Sequence, residues 1–504
     1  MAEYTPIPEI LNIHKELRKT FRSGITKPLE WRRHQLRQLA RFAKENADAL
    51  AECLRLDLGR PKQEAIMAEV APIVSRSLSS AEKLEEWANP ETVTLTAPWN
   101  KTFRTSVERP PKGVVLIISP WNYPIVLTLQ PLYGAIAAGC CAALKTSEFT
   151  PHWSSFLAQN LSKYVDPSAY RVILGAIPEI TKTLEFKWDH IFYTGNGRVG
   201  RIIATAAAKH LTPLTLELGG KSPVIVDSTA DITISAKRIL WGKINNSGQI
   251  CVAPDYILAE RSIIPRLVDS FKEHYQAFYP QGALVSNCYS RIVSDAHFAR
   301  LKGLLGRTQG KIVLGGKWEE GEGKRGFEPT VVVDVKEGDA LLEEELFGPI
   351  LPIVAVDNID EAIDFLNDRD HPLTLYVFSN DENAKKKVIA NTMSGSVWIN
   401  DTFQQVGIDE LPFGGVGESG YGRQIMKYSF DNFVYERGIV DVPYEYVLRS
   451  PTLILPYPHI LSLSSSDEPF FGARYPPYTD ESLAAFSGAL KAEIPDSAVP
   501  HANL

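Results

Sequence analysis

Cysteine is scarce in this 504-residue sequence: there are five, at positions 53, 140, 141, 251 and 288. An odd, scattered set rules out a disulfide framework and suits a reducing compartment, with room for one reactive thiol among inert ones. Long apolar runs are also missing. The longest stretches, 113–118, 133–144 and 452–463, fall short of the roughly 20 residues a spanning helix needs, and the last is broken by Pro456 and Pro458. Residues 1–10 are polar and proline-broken, without a signal-peptide pattern, so the expectation is a cytoplasmic protein. The 452–463 segment leaves peripheral membrane contact open. Basic excess is lacking as well. Against 60 Asp and Glu stand 53 Lys and Arg, for a net charge of -7, which argues against a nucleic-acid surface. The ten histidines form no H-E-x-x-H and no cysteine pair has C-x-x-C spacing, so no catalytic metal is expected. G-x-x-x-x-G-K-[ST] and G-x-S-x-G are absent too, which excludes P-loop NTPases and α/β-hydrolases.

What is present is ordinary globular composition, 44% hydrophobic and 22% charged, in a chain long enough for two or three domains. Trp31, Leu36, Leu39, Phe42 and Leu50 recur at helical spacing, and residues 8–87 read as helices. From 91 to 108, Thr- and Val-rich alternation predicts two strands around a turn. Strand patterns at 114–119, 142–145, 170–174 and 190–193 then alternate with helical ones at 124–139, 153–164 and 199–210. That rhythm predicts a parallel, doubly wound α/β sheet. A second α/β run begins near Thr215 with LTLELGG and continues through SPVIVD, YILAE, KIVLGG, TVVVDV and LPIVAV. Two runs predict two lobes with a ligand-binding cleft between them. From Leu448 onward Pro, Ser and Tyr dominate without periodicity, which predicts an irregular tail whose last 25 or so residues are disordered.

Chemistry-bearing candidates stand out locally. Gly195-Asn196-Gly197-Arg198-Val199-Gly200 matches G-x-G-x-x-G after a strand and at a helix start, where backbone can approach a phosphate closely. The motif expects a ribose-binding acid about 20 positions on, and Glu217 lies there. Glu217 also sits between two leucines at a strand end, where desolvation suits a general base. An edge-strand salt bridge is the plainer reading. Cys251, after small polar residues 245–249, offers a thiol that a carbonyl could approach and an environment that exposes a thiolate. Cys288 is its rival; Cys53, Cys140 and Cys141 read as packing. Asn122, between Pro120 and Pro124 after a buried strand, could donate to an oxyanion or simply form a turn.

Together, and in order, PWNYP, KTSE, FYTGNGRVG, LELGGKSP, GQICVAPDY, EEELFGP and LPFGGVGESGYG resemble the aldehyde dehydrogenase superfamily from about residue 8 to about residue 440. The CVAPDY continuation and RYPPY at 474–478 are similar to the class 3 group, which acts on fatty and other apolar aldehydes. The resemblance implies a Rossmann-like nucleotide-binding domain (1–90 and 110–216), an α/β catalytic domain (217–427), a small β oligomerisation element (91–109 and 428–445) and a tail (446–504). It implies Cys251 as nucleophile, Asn122 as half of an oxyanion hole, and Glu217 as the base that activates the deacylating water. For NAD or NADP it implies Trp121, Lys145, Glu148, Gly195, Asn196, Gly200, Glu345 and Phe347 as contacts. Glu148 takes the ribose role there, so the G-x-G-x-x-G spacing selects the wrong acid. The implied activity is NAD(P)+-dependent oxidation of an apolar, fatty aldehyde to its acid by a homodimer. A polyene or apocarotenoid aldehyde is the narrower alternative, a CoA-acylating relative a second, and a non-catalytic structural protein a remote third. Thr146, Gln405 and the 425–427 run Ile-Met-Lys depart from the group's usual pattern, which bears on the substrate pocket more than on reaction type.

Overall fold

The computed structural model describes residues 3–96, 100–101, 103–321, 323–403, 406–442 and 476–486. The chain divides into two compact units. One comprises Met1–Asn89 and Arg109–Tyr435, the other Pro90–Glu108 and Glu436–Leu504.

In chain order the strands are β1 Glu91–Thr92, β2 Arg104–Glu108, β3 Val114–Ile118, β4 Cys141–Lys145, β5 Tyr170–Ile173, β6 His190–Gly195, β7 Leu214–Leu218 and β8 Pro223–Val226. They continue as β9 Tyr256–Glu260, β10 Lys311–Leu314, β11 Thr330–Val333, β12 Ile350–Val356, β13 Thr374–Phe378, β14 Ser396–Ile399, β15 Gly420–Tyr421 and β16 Arg437–Asp441. The larger unit holds two mostly parallel sheets, ordered β15-β7-β6-β3-β4-β5 and β10-β11-β12-β9-β8-β13-β14. Every residue of β3 and β4 is buried. Both faces of a parallel sheet are covered, so such strands read as continuous apolar runs rather than alternating ones. Ile117 lies opposite Leu144 on one side and Phe192 on the other.

Helices α1 Ile7–Ser23, α2 Leu29–Glu45, α3 Ala47–Leu58, α4 Lys62–Ala65, α5 Ala71–Ala88, α6 Val126–Ala138, α7 Pro151–Asn160, α8 Ile177–Thr183 and α9 Gly197–Ala208 accompany the first sheet, and α10 Ile232–Ile244 opens the second. A π-helical turn, Ile66–Val70, joins α4 to α5. Such turns cost regular hydrogen bonding and recur at functional sites. Here the turn carries Glu69, which is fully buried.

One sequence expectation is corrected. LTLELGG does not open the second α/β run, because β7 belongs to the first sheet. It runs parallel to β6, with Glu217 opposite Thr194, and antiparallel to β15, with Glu217 opposite Gly420. Helix α9 returns the chain beside β6, so the break between runs falls after Leu218 rather than at Thr215. Pairing with β15 also brings a distant stretch of chain against Glu217.

In the smaller unit β1, β2 and β16 form an antiparallel sheet, with Ser106 opposite both Thr92 and Ile439. The predicted hairpin strands at 91–108 correspond to β1 and β2. The expected irregular tail contains a short helix, Asp480–Phe486. The Thr479 hydroxyl accepts from the Ser482 amide at 3.1 Å, and the Ser482 hydroxyl accepts from the Thr479 amide at 2.9 Å. That reciprocal cap, with Asp480 and Glu481 in the first turn, nucleates the helix. The apolar segment 452–463 and the final residues lie outside the described ones. No helix among the described residues is long and apolar enough to cross a membrane.

Gly420 links the fold to the site. Its φ is +114°, and a Cβ there would lie 1.9 Å from the Leu216 carbonyl oxygen. Gly420→Ala is therefore expected to push β15 off β7, lowering both the urea midpoint and any activity that depends on Glu217. Unchanged values of both would contradict this register.

Candidate active site

Three chain segments converge on the site. The turn after β3 carries Trp121 and Asn122, the C-terminal half of β7 carries Glu217, and the loop after α10 carries Cys251. That last loop is strained. Asn246, Ser247 and Gly248 take successive positive φ values of 47°, 52° and 74°, a conformation costing non-glycine residues about 1–2 kcal/mol each. Side-chain amides offset this cost. Asn246 Nδ2 donates to the Asn122 carbonyl at 2.9 Å and the Gln249 carbonyl at 3.1 Å. Gln249 Nε2 donates to the Asn246 and Arg291 carbonyls, and its Oε1 accepts from the Val293 amide at 2.9 Å. The Ser247 hydroxyl donates to the Ser290 carbonyl at 2.6 Å.

The Asn122 turn is pinned from the other side by a buried ion pair. Arg60 and Glu69 have no exposed side-chain surface and pair directly. Arg60 also donates to the Asn122 carbonyl, and its guanidinium lies 4.3 Å from the centre of the Tyr123 ring. Glu69 Oε2 accepts from the Ile125 and Val126 amides at 2.7 and 3.2 Å, which caps the start of α6. Burial pushes the Glu69 carboxyl up to about 7, against the pull of Arg60.

A cavity of about 550 Å³ opens between these segments. Asn122, Glu217 and Cys251 line it together with Tyr123, Leu127, Trp241, Phe403, Phe413 and Ile425. Asn122 Nδ2 donates one hydrogen to the Gln249 carbonyl at 3.1 Å, and its second hydrogen remains for the cavity. Glu217 is 3% exposed, and neither carboxylate oxygen has a hydrogen-bond partner within bonding distance among the described residues. Burial pushes its carboxyl well above the usual range, with the Arg423 charge opposing. Glu217 and Cys251 thus share one cavity.

Cys251 is partly exposed, but its surroundings oppose a thiolate. Burial and the nearby Glu345 and Glu217 carboxyls push the Cys251 thiol up to about 12. A thiol so raised calls for a base or a nearby cation before it attacks as a thiolate. Cys53 and Cys140 are pushed up to about 11 by burial, Cys141 is also raised, and Cys288 is exposed.

Of the candidate nucleotide contacts, Trp121, Lys145, Glu148, Gly195 and Asn196 lie at or just beyond the C-terminal ends of the first sheet's strands, where α/β sheets bind ligands, whereas Glu345 and Phe347 precede β12 of the second sheet. Lys145 ends β4, buried, with its ammonium 3.9 Å from Glu148. Gly195 ends β6, and a Cβ there would strike the Tyr193 hydroxyl at 2.2 Å. Asn196 caps α9 by accepting from the Val199 amide at 3.0 Å, leaving the helix start open to an anion. Gly200 packs its bare backbone on Leu218. Trp121 meets Phe347 edge-to-face at 5.3 Å. Thr146 Oγ1, Thr194 Oγ1 and Glu345 Oε1 are buried without partners among the described residues. Burial and Asp255 push the Glu345 carboxyl up to about 8. Unpaired buried polar atoms, together with an open helix start, fit a ribose- and phosphate-bearing ligand.

Sequence reading missed several of the residues that build the site. Arg60 and Glu69 are single charges in a helical pattern, indistinguishable from solvated ones. His297 and Phe149 carry no motif, yet His297 lies 5.1 Å from Trp121 and 5.6 Å from Phe149, extending the aromatic rim. Of the departures noted, Ile425 lines the cavity and Met426 is buried, whereas Gln405 lies outside the described residues.

Comparison with known proteins places this geometry. The family model described as "Aldehyde dehydrogenase family" matches residues 9–439. The Rattus norvegicus "Aldehyde dehydrogenase, dimeric NADP-preferring" is 44% identical over 84% of this chain and 92% of its own length. The Mus musculus "Aldehyde dehydrogenase family 3 member B1" is 42% identical over 95% and 96%. Among solved structures, the substrate-bound state of Staphylococcus aureus AldH has a TM-score of 0.84 at 39% identity, over 86% of this chain and 94% of that one.

Two outcomes follow from the electrostatics. Alkylation of Cys251 by iodoacetamide, followed by peptide mass spectrometry, should rise about tenfold per pH unit beyond pH 9, and a plateau below pH 9 would contradict the raised thiol. Glu69→Leu should cost about 3–5 kcal/mol by stranding Arg60. Adding Arg60→Met should recover most of the stability in urea denaturation, and failure to recover would show that the pair itself stabilises.

Proposed function

The chain belongs to the aldehyde dehydrogenase family, and from that premise we propose that it oxidises an apolar, fatty aldehyde to the carboxylic acid with NAD+ or NADP+, through a thioester on Cys251. The observation that carries this reading is one apolar cavity holding a thiol, a desolvated carboxyl and an amide donor.

The aldehyde chain lies among Leu127, Trp241, Phe403 and Phe413. Glu217 accepts the Cys251 proton, and the sulfur adds to the carbonyl carbon. The carbonyl electron pair moves to oxygen, where the free Asn122 Nδ2 hydrogen and the Cys251 backbone N–H receive it; one such donor contributes about 2.7–4 kcal/mol. When bound against Trp121, Lys145, Glu148, Gly195, Asn196, Glu345 and Phe347, the nicotinamide nucleotide supplies the hydride acceptor that leaves Cys251 acylated. With the Cys251 proton passed on to solvent, Glu217 then takes a proton from water as the water oxygen attacks the thioester carbon. The C–S bond breaks, the acid leaves, and the sulfur recovers a proton. A buried carboxyl with raised proton affinity suits both tasks.

Glu148 beside Lys145 pairs an acid that repels a 2′-phosphate with a cation that attracts one, which supports use of either nucleotide. The printed name of the rat relative describes a dimer. The β1-β2-β16 sheet, with Val93, Val440 and Val442 exposed, is the element we assign to homodimer formation.

The test is a chain-length series. Each methylene buried in the cavity is worth about 0.8 kcal/mol, so kcat/KM should rise about fourfold per added carbon until the cavity fills. Cys251→Ala should abolish turnover at every length. A flat profile would defeat the substrate assignment, and retained turnover would defeat the nucleophile.

A further inference from the structure

The cavity wall, largely apolar, also contains a buried arginine. Arg76, on α5, is 4% exposed, and three groups hold it. Its Nε donates to Asp409 Oδ1 at 2.8 Å, its Nη2 to the Val406 carbonyl, and its Nη1 to Gln130 Oε1 at 2.7 Å. Gln130, on α6, passes a hydrogen bond onward: its Nε2 donates to Gln424 Oε1 at 2.8 Å. Arg76, Gln130, Gln424, Asp409 and Glu217 all line the same cavity.

The direction of this chain follows from chemistry alone. A guanidinium can only donate, so Gln130 must turn its oxygen to Arg76 and its NH2 away. Gln424 must then accept with its oxygen, which leaves its own NH2 as the free end. Gln424 lies four residues beyond Gly420, the residue paired with Glu217, and its amide is near enough to draw the Glu217 proton affinity down. Yet neither Glu217 oxygen sits within full hydrogen-bonding distance of a donor.

Resting on the reading of Glu217 as the deacylating base, we propose that Arg76, Gln130 and Gln424 form a one-way donor chain. It aims the Gln424 NH2 at the Glu217 carboxylate and so favours the ionised base. They are positioning residues. Arg76 anchors the chain with a permanent charge, Asp409 fixes the orientation of Arg76, and each amide polarises the next. Without the anchor either amide can flip and present an oxygen to the carboxylate, which repels it. The other groups facing Glu217 are Arg423, which also favours the ionised form, the Cys251 thiol, and the Thr194 hydroxyl on β6.

The test reads Glu217 directly. Its protonated carboxyl stretch is isolated by infrared difference against Glu217→Gln in each background and titrated with pH on the folded protein. Gln424→Met, Gln130→Glu and Arg76→Met should each raise the midpoint by about one unit, a tenfold gain in proton affinity. Arg76→Lys keeps a cationic donor and should stay near wild type. The acid limb of thioester hydrolysis should move in step, while the burst of reduced nucleotide keeps its amplitude. A Gln424→Met midpoint equal to wild type overturns the chain. So does an Arg76→Lys shift as large as that of Arg76→Met, which would mark a purely structural role. The infrared titration needs no turnover, so absence of aldehyde oxidation would defeat the functional reading separately.

Discussion

The buried pair between Arg60 and Glu69 is the constraint on which the site depends. Two charges without solvent exposure are expensive to bury, and the pair persists because each partner has further work. Glu69 satisfies the first amides of α6, and Arg60 holds the Asn122 carbonyl and covers Tyr123. The Asn122 carbonyl in turn receives Asn246 from the strained loop ahead of Cys251. Helices near the N-terminus, the turn after β3 and the nucleophile loop are thereby fixed by one chain of polar contacts. Arg60, Glu69 and Asn246 do this without lining the cavity themselves.

Desolvation is the second theme, and it acts on opposite partners in the same direction. The thiol of Cys251 and the carboxyls of Glu217 and Glu345 are all driven toward their neutral forms by burial. Burial thereby opposes charge on these three groups, in a site lined largely by apolar side chains. Charge that develops as the reaction proceeds does so where a low dielectric makes each donor count for more. The same economy explains why the polar residues of the wall are chained to one another rather than left to face the cavity.

Much of the first sheet was legible because β3 and β4 are continuous apolar runs joined by helical periods. Cys251, Glu217 and Asn122 were legible because each stands in an ordered series of motifs. Other features were not. The place of β7 in the first sheet depends on its antiparallel partner β15, some 200 residues later in the chain, and no local pattern encodes that pairing. Gln130 and Gln424 are 294 positions apart, and Arg76 precedes Gln130 by 54; each alone is an ordinary polar residue. Cys251 shows the limit most plainly. Small polar neighbours in sequence suggested a thiolate, but the folded chain surrounds that thiol with apolar walls and carboxyls.

The central claim is that Cys251 carries the acyl group and Glu217 releases it. The most direct measurement is rapid-quench peptide mass spectrometry of Glu217→Gln mixed with a fatty aldehyde and oxidised nucleotide. The account predicts one equivalent of reduced nucleotide and an acyl adduct on the Cys251 peptide that persists for many wild-type turnover times. Steady turnover with no adduct, or an adduct on another cysteine, would contradict it.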